Sequence, residues 1–215
     1  MNKSESIIIA IEWISGSGKT TISHMIQEKL WLSHVWESFH FLRDWDSIPI
    51  VDEKDAKNTL EKKHNFLLEL EKRKNQFLLW KILLWNDIIM ERTVLTLLYT
   101  ELAIKNLWKY SDYSSLIKKI DKLINSWEII LPDYIFFLRT NPNIAKNRIM
   151  NRNWKTSDFF SNENTLIELN NTLFTLISDD NFIKNINYEI IENNWLDDIE
   201  HIVNLIVEKI KNLKK

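Results

Sequence analysis

The 215-residue sequence predicts an α/β fold: a parallel sheet of about five strands with helices on both faces. Three observations predict it. Short β-branched or aromatic runs alternate with longer amphipathic stretches, the pattern of repeated βα units. The first of the short runs, Ser6 to Glu12, is β-branched with no helical period, as in a buried strand. No Pro/Gly/Ser-rich linker, repeat or low-complexity block divides the chain, so residues 1–215 read as a single domain.

The elements follow in order. Ser6 to Glu12 is a β-branched run without helical period and reads as a buried strand. A helix runs from Lys19 to about Leu30, with Ile22, Met25, Ile26 and Leu30 on one face. His34 to Leu42 is the second strand. Asp55 to about Lys81 is a long charged helix, expected to bend or break along its length. Asp87 to Met90 is the third strand, and helices follow over Thr93–Asn106 and Tyr113–Asn125. Asp133 to Leu138 is the fourth strand, followed by helices over Asn143–Asn151 and Thr165–Ser178. Tyr188 to Glu192 is the fifth strand. The last helix carries Ile199, Ile202, Val203, Ile206, Val207 and Ile210 on one face, at the spacing of a buried stripe.

Composition narrows the function classes. A net charge of -2 gives no bulk electrostatic reason for a nucleic-acid partner. Without cysteine there is no disulfide framework and no thiolate metal site, which suits a reducing compartment. The apolar run Ile7–Ile11 is too short for a signal-peptide core. The stretch Phe77–Met90 carries Lys81, Asn86 and Asp87 and is too short to span a bilayer. The expectation is a soluble cytoplasmic protein without membrane or nucleic-acid partners.

Glycine occurs only twice, where ordinary usage of about 7% predicts roughly 15, whereas tryptophan occurs ten times. Trp31, Trp108 and Trp127 each follow a helical stretch, at the left-handed cap position that glycine fills without steric cost. Trp45 lies in a polar turn, Trp195 follows Asn193-Asn194 in the manner of an Asn-Gly turn, and Trp85 precedes a strand. We read these tryptophans as glycine positions, such as arise when UGA codons that specify glycine are translated as tryptophan. The abundance of Asn, Ile and Lys suits the AT-rich genomes in which such reassignments occur.

One motif carries chemistry. Trp13 to Thr20, WISGSGKT, fits the phosphate-loop pattern GxxxxGK(S/T) at every fixed place but the first, which is Trp13. A glycine-serine turn before a helix would share part of the pattern, but here a buried strand leads straight in and a helix leads out. In such a loop Trp13, Ile14, Ser15, Gly16, Ser17, Gly18, Lys19, Thr20 and Thr21 surround the phosphates of ATP. Lys19 reaches the β- and γ-phosphates and the Thr20 hydroxyl ligates Mg2+. The predicted fold is thus a P-loop NTPase-type three-layer sandwich.

From this loop onward the chain resembles the thymidylate kinase and deoxynucleoside kinase group over nearly its whole length. IEWISGSGKTT is similar to that group's I-E-G-x-x-G-x-G-K-(S/T)-T. Leu42-Arg43-Asp44 stands where thymidylate kinases carry R-E-P, and Arg73-Lys74-Asn75-Gln76 resembles their D-R-x-Q-H, although Glu69 takes the place of the base-stacking phenylalanine. Glu91-Arg92-Thr93 resembles D-R-Y, and still more the E-R-S of deoxynucleoside kinases. PDYIFFLRTNPNIAKNRIMNRNWK is similar to the strand and helix that enter the family's lid, with Arg148 and Arg152 on one helix face and Trp154 in a glycine slot.

The resemblance implies roles. Arg43, Arg73 and Arg92 would hold the acceptor, Asp44 would be the acid beside the acceptor oxygen or Mg2+, and Glu91 would join Thr20 on Mg2+. Arg148 and Arg152 would neutralise the transferred phosphoryl group from a lid over roughly residues 150–163. The implied activity is ATP-dependent phosphoryl transfer to a nucleoside monophosphate, dTMP to dTDP, in a protein that could be a homodimer. The alternatives are a deoxynucleoside kinase acting on a 5′-hydroxyl and, more distantly, a P-loop NTPase without a small-molecule acceptor.

Overall fold

Three runs that are apolar on both faces form the middle of the sheet: β1 (Ile8–Glu12), β3 (Ile88–Glu91) and β4 (Tyr134–Arg139). Every residue of β1 and β3 is buried, which requires cover on both sides. The structure, a computed structural model, describes residues 6–49, 55–84, 86–108, 111–151, 158–179, 186–194 and 199–214. The short β2 (Ser33–Val35) and the more exposed β5 (Asn187–Glu192) form the edges. The order is β2-β3-β1-β4-β5, with all pairs parallel and Ile9 between Ile89 and Tyr134. Two aspartates set where the strands begin: Asp87 Oδ1 accepts from the Ile7 N–H at 3.1 Å and Asp133 Oδ2 from the Ile8 N–H at 2.7 Å.

The helices are α1 (Lys19–Leu30), α2 (Ala56–Leu83), α3 (Leu95–Trp108), α4 (Tyr113–Asn125), α5 (Pro142–Met150), α6 (Asp158–Ser161), α7 (Glu163–Asp179) and α8 (Ile199–Leu213). α1 packs with α8, and α3 with α4 and α7. The predicted α/β fold with a five-stranded parallel sheet is therefore the observed one. No helix among the described residues is long and apolar enough to cross a membrane.

Three readings need correction. The second strand ends at Val35 rather than Leu42, and Ser38–Phe41 forms a 3-10 helix instead. The pairing ends at Val35 against Met90, after which Phe41 leaves the sheet to pack on Phe77 of α2, with ring centroids 5.7 Å apart. α2 is one uninterrupted helix of 28 residues rather than a bent or broken one. It contains neither proline nor glycine, and Leu60, His64, Leu68, Glu71, Asn75 and Leu78 keep one continuous buried stripe. Trp108 is the last residue of α3 rather than a cap beyond it.

The cap reading does hold at two tryptophans. Trp31 closes α1 at φ 56°, ψ 36°, and is 92% exposed. Trp127 follows α4 at φ 61° and is 77% exposed. Around it the Glu128 N–H reaches the Leu123 carbonyl at 2.9 Å and the Trp127 N–H the Ile124 carbonyl at 3.0 Å, the bond pair of a Schellman cap whose left-handed residue is usually glycine. Trp45 is likewise exposed, in a turn. Trp13 also has a positive φ, 157°, but unlike the two caps it is fully buried, between Phe137 and Phe174, and its indole N–H finds no partner among the described residues. Trp85, Trp154 and Trp195 lie outside the described residues.

Left-handed backbone costs a residue with a side chain about 1–2 kcal/mol. Exchanging both Trp31 and Trp127 for glycine is therefore expected to raise the midpoint of thermal unfolding by about 4–16 °C, at about 2–4 °C per kcal/mol for a chain of this size. An unchanged or lower midpoint would remove the strain argument. Peptides from the source organism with glycine at both positions would explain how the caps arose.

Candidate active site

The phosphate loop forms where β1 ends and α1 begins. Gly16 and Gly18 both have positive φ, 79° and 85°. A side chain at Gly16 would place its Cβ 2.4 Å from the Ala145 carbonyl, so α5 can lie against the loop only because this residue is glycine. At Gly18 a Cβ would meet Asn193 Nδ2 at 3.1 Å. That same Nδ2 donates to the Ser17 carbonyl at 2.6 Å and ties the loop to the end of β5. Ile14, Gly16 and Ser17 are buried, Ser15 and Gly18 are half-buried, and Thr20 and Thr21 are exposed.

Lys19 is folded into this loop. Its Nζ donates to the carbonyls of Trp13 and Ile14, each at 2.8 Å, and to Ser17 Oγ at 3.3 Å. Burial, and then the nearby Arg92 charge, lower the ammonium from 10.5 to about 7.

Thr20 and Glu91 meet, as the sequence expected of two magnesium ligands: Thr20 Oγ1 donates to Glu91 Oε2 at 2.7 Å. Glu91 Oε1 lies 3.0 Å from His34 Nε2, with both side chains buried. Burial raises the Glu91 carboxyl, but His34 and Thr20, together with the Lys19 charge, outweigh it and hold the carboxyl below its ordinary value. A hydroxyl and an ionised carboxylate beside the loop fit Mg2+, which takes one or two hard protein oxygens and completes its shell with phosphates and water.

Arg92, next along β3, has a left-handed φ of 58°. Its N–H is held by the Ile11 carbonyl at 3.1 Å and its carbonyl by Lys74 Nζ at 2.6 Å. The following residue is fixed too: the fully buried Glu12 accepts from the Thr93 N–H at 2.6 Å, the Thr93 hydroxyl at 3.1 Å and the Thr96 hydroxyl at 2.8 Å. The guanidinium reaches Ser15 Oγ from Nη2 at 3.4 Å, and its Nε lies 2.5 Å from Glu37 Oε2. Burial would lower Arg92, but Tyr99, Glu37, Glu12 and Glu91 together raise it above its usual range.

The other two arginines expected at the acceptor have partners of their own. Arg43 and Asp44 are exposed, with the Arg43 guanidinium 5.8 Å from the Trp45 ring centre. Arg73 is paired with Asp46 and donates to the Phe41 carbonyl at 3.4 Å. The carboxylate facing Arg92 is that of Glu37, not Asp44.

Arg148 projects from α5, whose start is set by Asn141 accepting from the Asn143 N–H, with Pro142 in the first turn. Its Nη1 donates to the Asn193 carbonyl at 3.3 Å and the Gly16 carbonyl at 3.5 Å. Its Nε and Nη2 are buried without a partner among the described residues, which leaves N–H groups for an anion at the loop. Arg152 and most of the expected lid lie outside the described residues.

No family model and no curated protein matches the sequence. Solved structures do match. Deoxyadenosine kinase from M. mycoides with bound dCTP superposes with a TM-score of 0.67 at 22% identity, over 96% of this chain and 100% of that one. Thymidylate kinase from Candida albicans gives 0.64 at 15% identity, over 98% and 93%. Thymidylate kinase from Ehrlichia chaffeensis gives 0.58 at 15% identity, over 96% and 98%. The chain has the fold of these kinases.

In a P-loop kinase fold the site gathers at the carboxyl ends of the strands. Glu37 and Asn193, which sequence reasoning missed, both lie just past the carboxyl end of a strand, β2 and β5. Position relative to the strand end was the signal that could have found them, whereas nothing in the local pattern distinguishes the buried Glu12, His34 or Lys74.

Proposed function

We propose that the protein is an ATP-dependent kinase that phosphorylates the 5′-hydroxyl of a deoxynucleoside. The observation that carries this reading is the Glu37 carboxylate, 2.5 Å from Arg92 Nε, beside the phosphate loop. A hydroxyl acceptor must lose a proton as it attacks, and a carboxylate held by an arginine is placed to take it. A monophosphate acceptor brings its own negative charge, which Glu37 would repel, and Arg43 and Arg73 are not gathered to offset that charge.

In this reading Lys19 turns from the loop carbonyls to the β- and γ-phosphates. Thr20 and Glu91 would hold Mg2+, which would screen the phosphate charge when bound. Arg148 offers its unpartnered N–H groups to the charge that develops on the moving phosphoryl. The acceptor oxygen bonds to the γ-phosphorus as the bridging P–O bond breaks, the hydroxyl proton passes to Glu37, and ADP leaves. Solved structures of the similar deoxyadenosine kinase hold dATP or dCTP, which supports a deoxynucleoside-sized site.

The test is an ATP–Mg2+ assay with deoxyadenosine, deoxycytidine, thymidine and dTMP offered separately. Transfer of labelled phosphate to a deoxynucleoside is expected. Turnover of dTMP alone would overturn the hydroxyl reading in favour of a thymidylate kinase, and ATP hydrolysis indifferent to every acceptor would leave an NTPase.

A further inference from the structure

The acceptor pair is held from behind by α2, and we infer that Lys74 and Glu71 are positioning residues for the reaction; this rests on the kinase reading above. Lys74 is fully buried, an unusual place for an ammonium group, and an apolar side chain would fill that helix position without desolvating a charge. Its Nζ donates to the Arg92 carbonyl at 2.6 Å and the Glu91 carbonyl at 3.1 Å, and lies 3.9 Å from Glu71 Oε2. Its three N–H groups thus face two carbonyls at the end of β3 and one carboxylate.

Those carbonyls belong to the turn that aims Arg92. A non-glycine residue enters left-handed backbone only where its surroundings enforce it. Here the Ile11 carbonyl holds the Arg92 N–H and Lys74 holds the Arg92 carbonyl, so the peptide after Arg92 is fixed on the α2 side. Without Lys74 that carbonyl loses its buried partner and the peptide is free to turn, carrying the guanidinium away from Ser15 and Glu37. Glu71 acts on the other member of the pair. Its Oε1 accepts from the hydroxyl of Ser38, the residue next to Glu37. A single turn of α2, Glu71 to Lys74, therefore grips both sides of the Glu37–Arg92 contact. Neither side chain is hydrogen-bonded or ion-paired to a phosphate-loop residue among the described residues, so both act through Glu37 and Arg92.

The test uses the full chain with Lys74→Met, which keeps length and loses charge, and Ser38→Ala, which releases Glu37 from Glu71. Misplacing reacting groups by about 1 Å costs about 10²-fold. Lys74→Met is expected to lose about that much in kcat, to bind ATP as tightly as the parent, and to shift the NMR signal of Arg92 Nε–H. Ser38→Ala is expected to lose kcat in the same direction, with ATP binding kept. Parental kcat and an unmoved Arg92 signal in folded Lys74→Met would overturn the inference. If that variant does not fold, parental kcat in Ser38→Ala would overturn it. Should the unmodified enzyme accept only dTMP, the hydroxyl reading fails, while the Arg92 signal in Lys74→Met still decides the positioning role.

Discussion

Lys19→Met is expected to lower kcat/KM by about 10²–10³-fold, the usual cost of deleting one preorganised group that stabilises developing charge. The same substitution is expected to remove a proton-linked step. With its ammonium lowered to about 7, Lys19 is largely neutral at pH 8 in the ligand-free loop. Binding a polyphosphate restores the charge, so nucleotide binding takes up a proton above pH 7. Affinity then falls by up to about tenfold per pH unit between pH 7 and 10. Calorimetry at pH 8 in two buffers of different ionisation heat reads that uptake, and Lys19→Met should abolish it. Identical heats in the parent protein would refute the linkage.

The linkage has a counterpart in stability. The folded value lies below the unfolded one, so the cost of burying the charged form is present in full below pH 7. It is relieved as pH rises from 7 to 10.5, and this residue's contribution to stability therefore grows across that window.

Glu37→Gln is the second large effect. The amide keeps the shape and a hydrogen-bonding oxygen but cannot take a proton at neutral pH, and general-base catalysis is worth about 10²–10⁴-fold. We expect a loss of that size in kcat for deoxynucleoside phosphorylation, with ATP binding retained. Asp44→Asn, on an exposed turn, should change kcat less than about twofold, because side chains of this kind rarely matter away from a site. The opposite ranking would return the acidic role to Asp44, as the resemblance to R-E-P implied.

The difference between Asp44 and Glu37 shows where legibility ended. Both follow the second strand in sequence, and motif spacing favoured Asp44. The strand stops at Val35, the chain beyond it packs Phe41 onto Phe77 of α2, and Glu37 lies just past the strand's carboxyl end. Arg73 is a similar case. It stands in the expected place on α2, yet Asp46 from a turn far away in sequence claims its guanidinium. Thr20 and Glu91, by contrast, do lie together, because each is tied to a strand end by the motif that contains it.

By itself the sequence determined the five strands, the helices with strong periodicity and the phosphate loop. These depend on interactions within a few residues: apolar runs that must be covered on both faces, and glycines that allow a loop to turn. It also marked Trp31 and Trp127 as glycine-type caps, since the backbone of a helix end is a local matter. Only the tertiary structure decided which carboxylate faces Arg92, that Lys74 reaches the end of β3, and that Asn193 braces Ser17 across 176 positions of chain. Those contacts follow from the strand order β2-β3-β1-β4-β5, which brings distant strand ends together, and spacing along the chain carries no record of it.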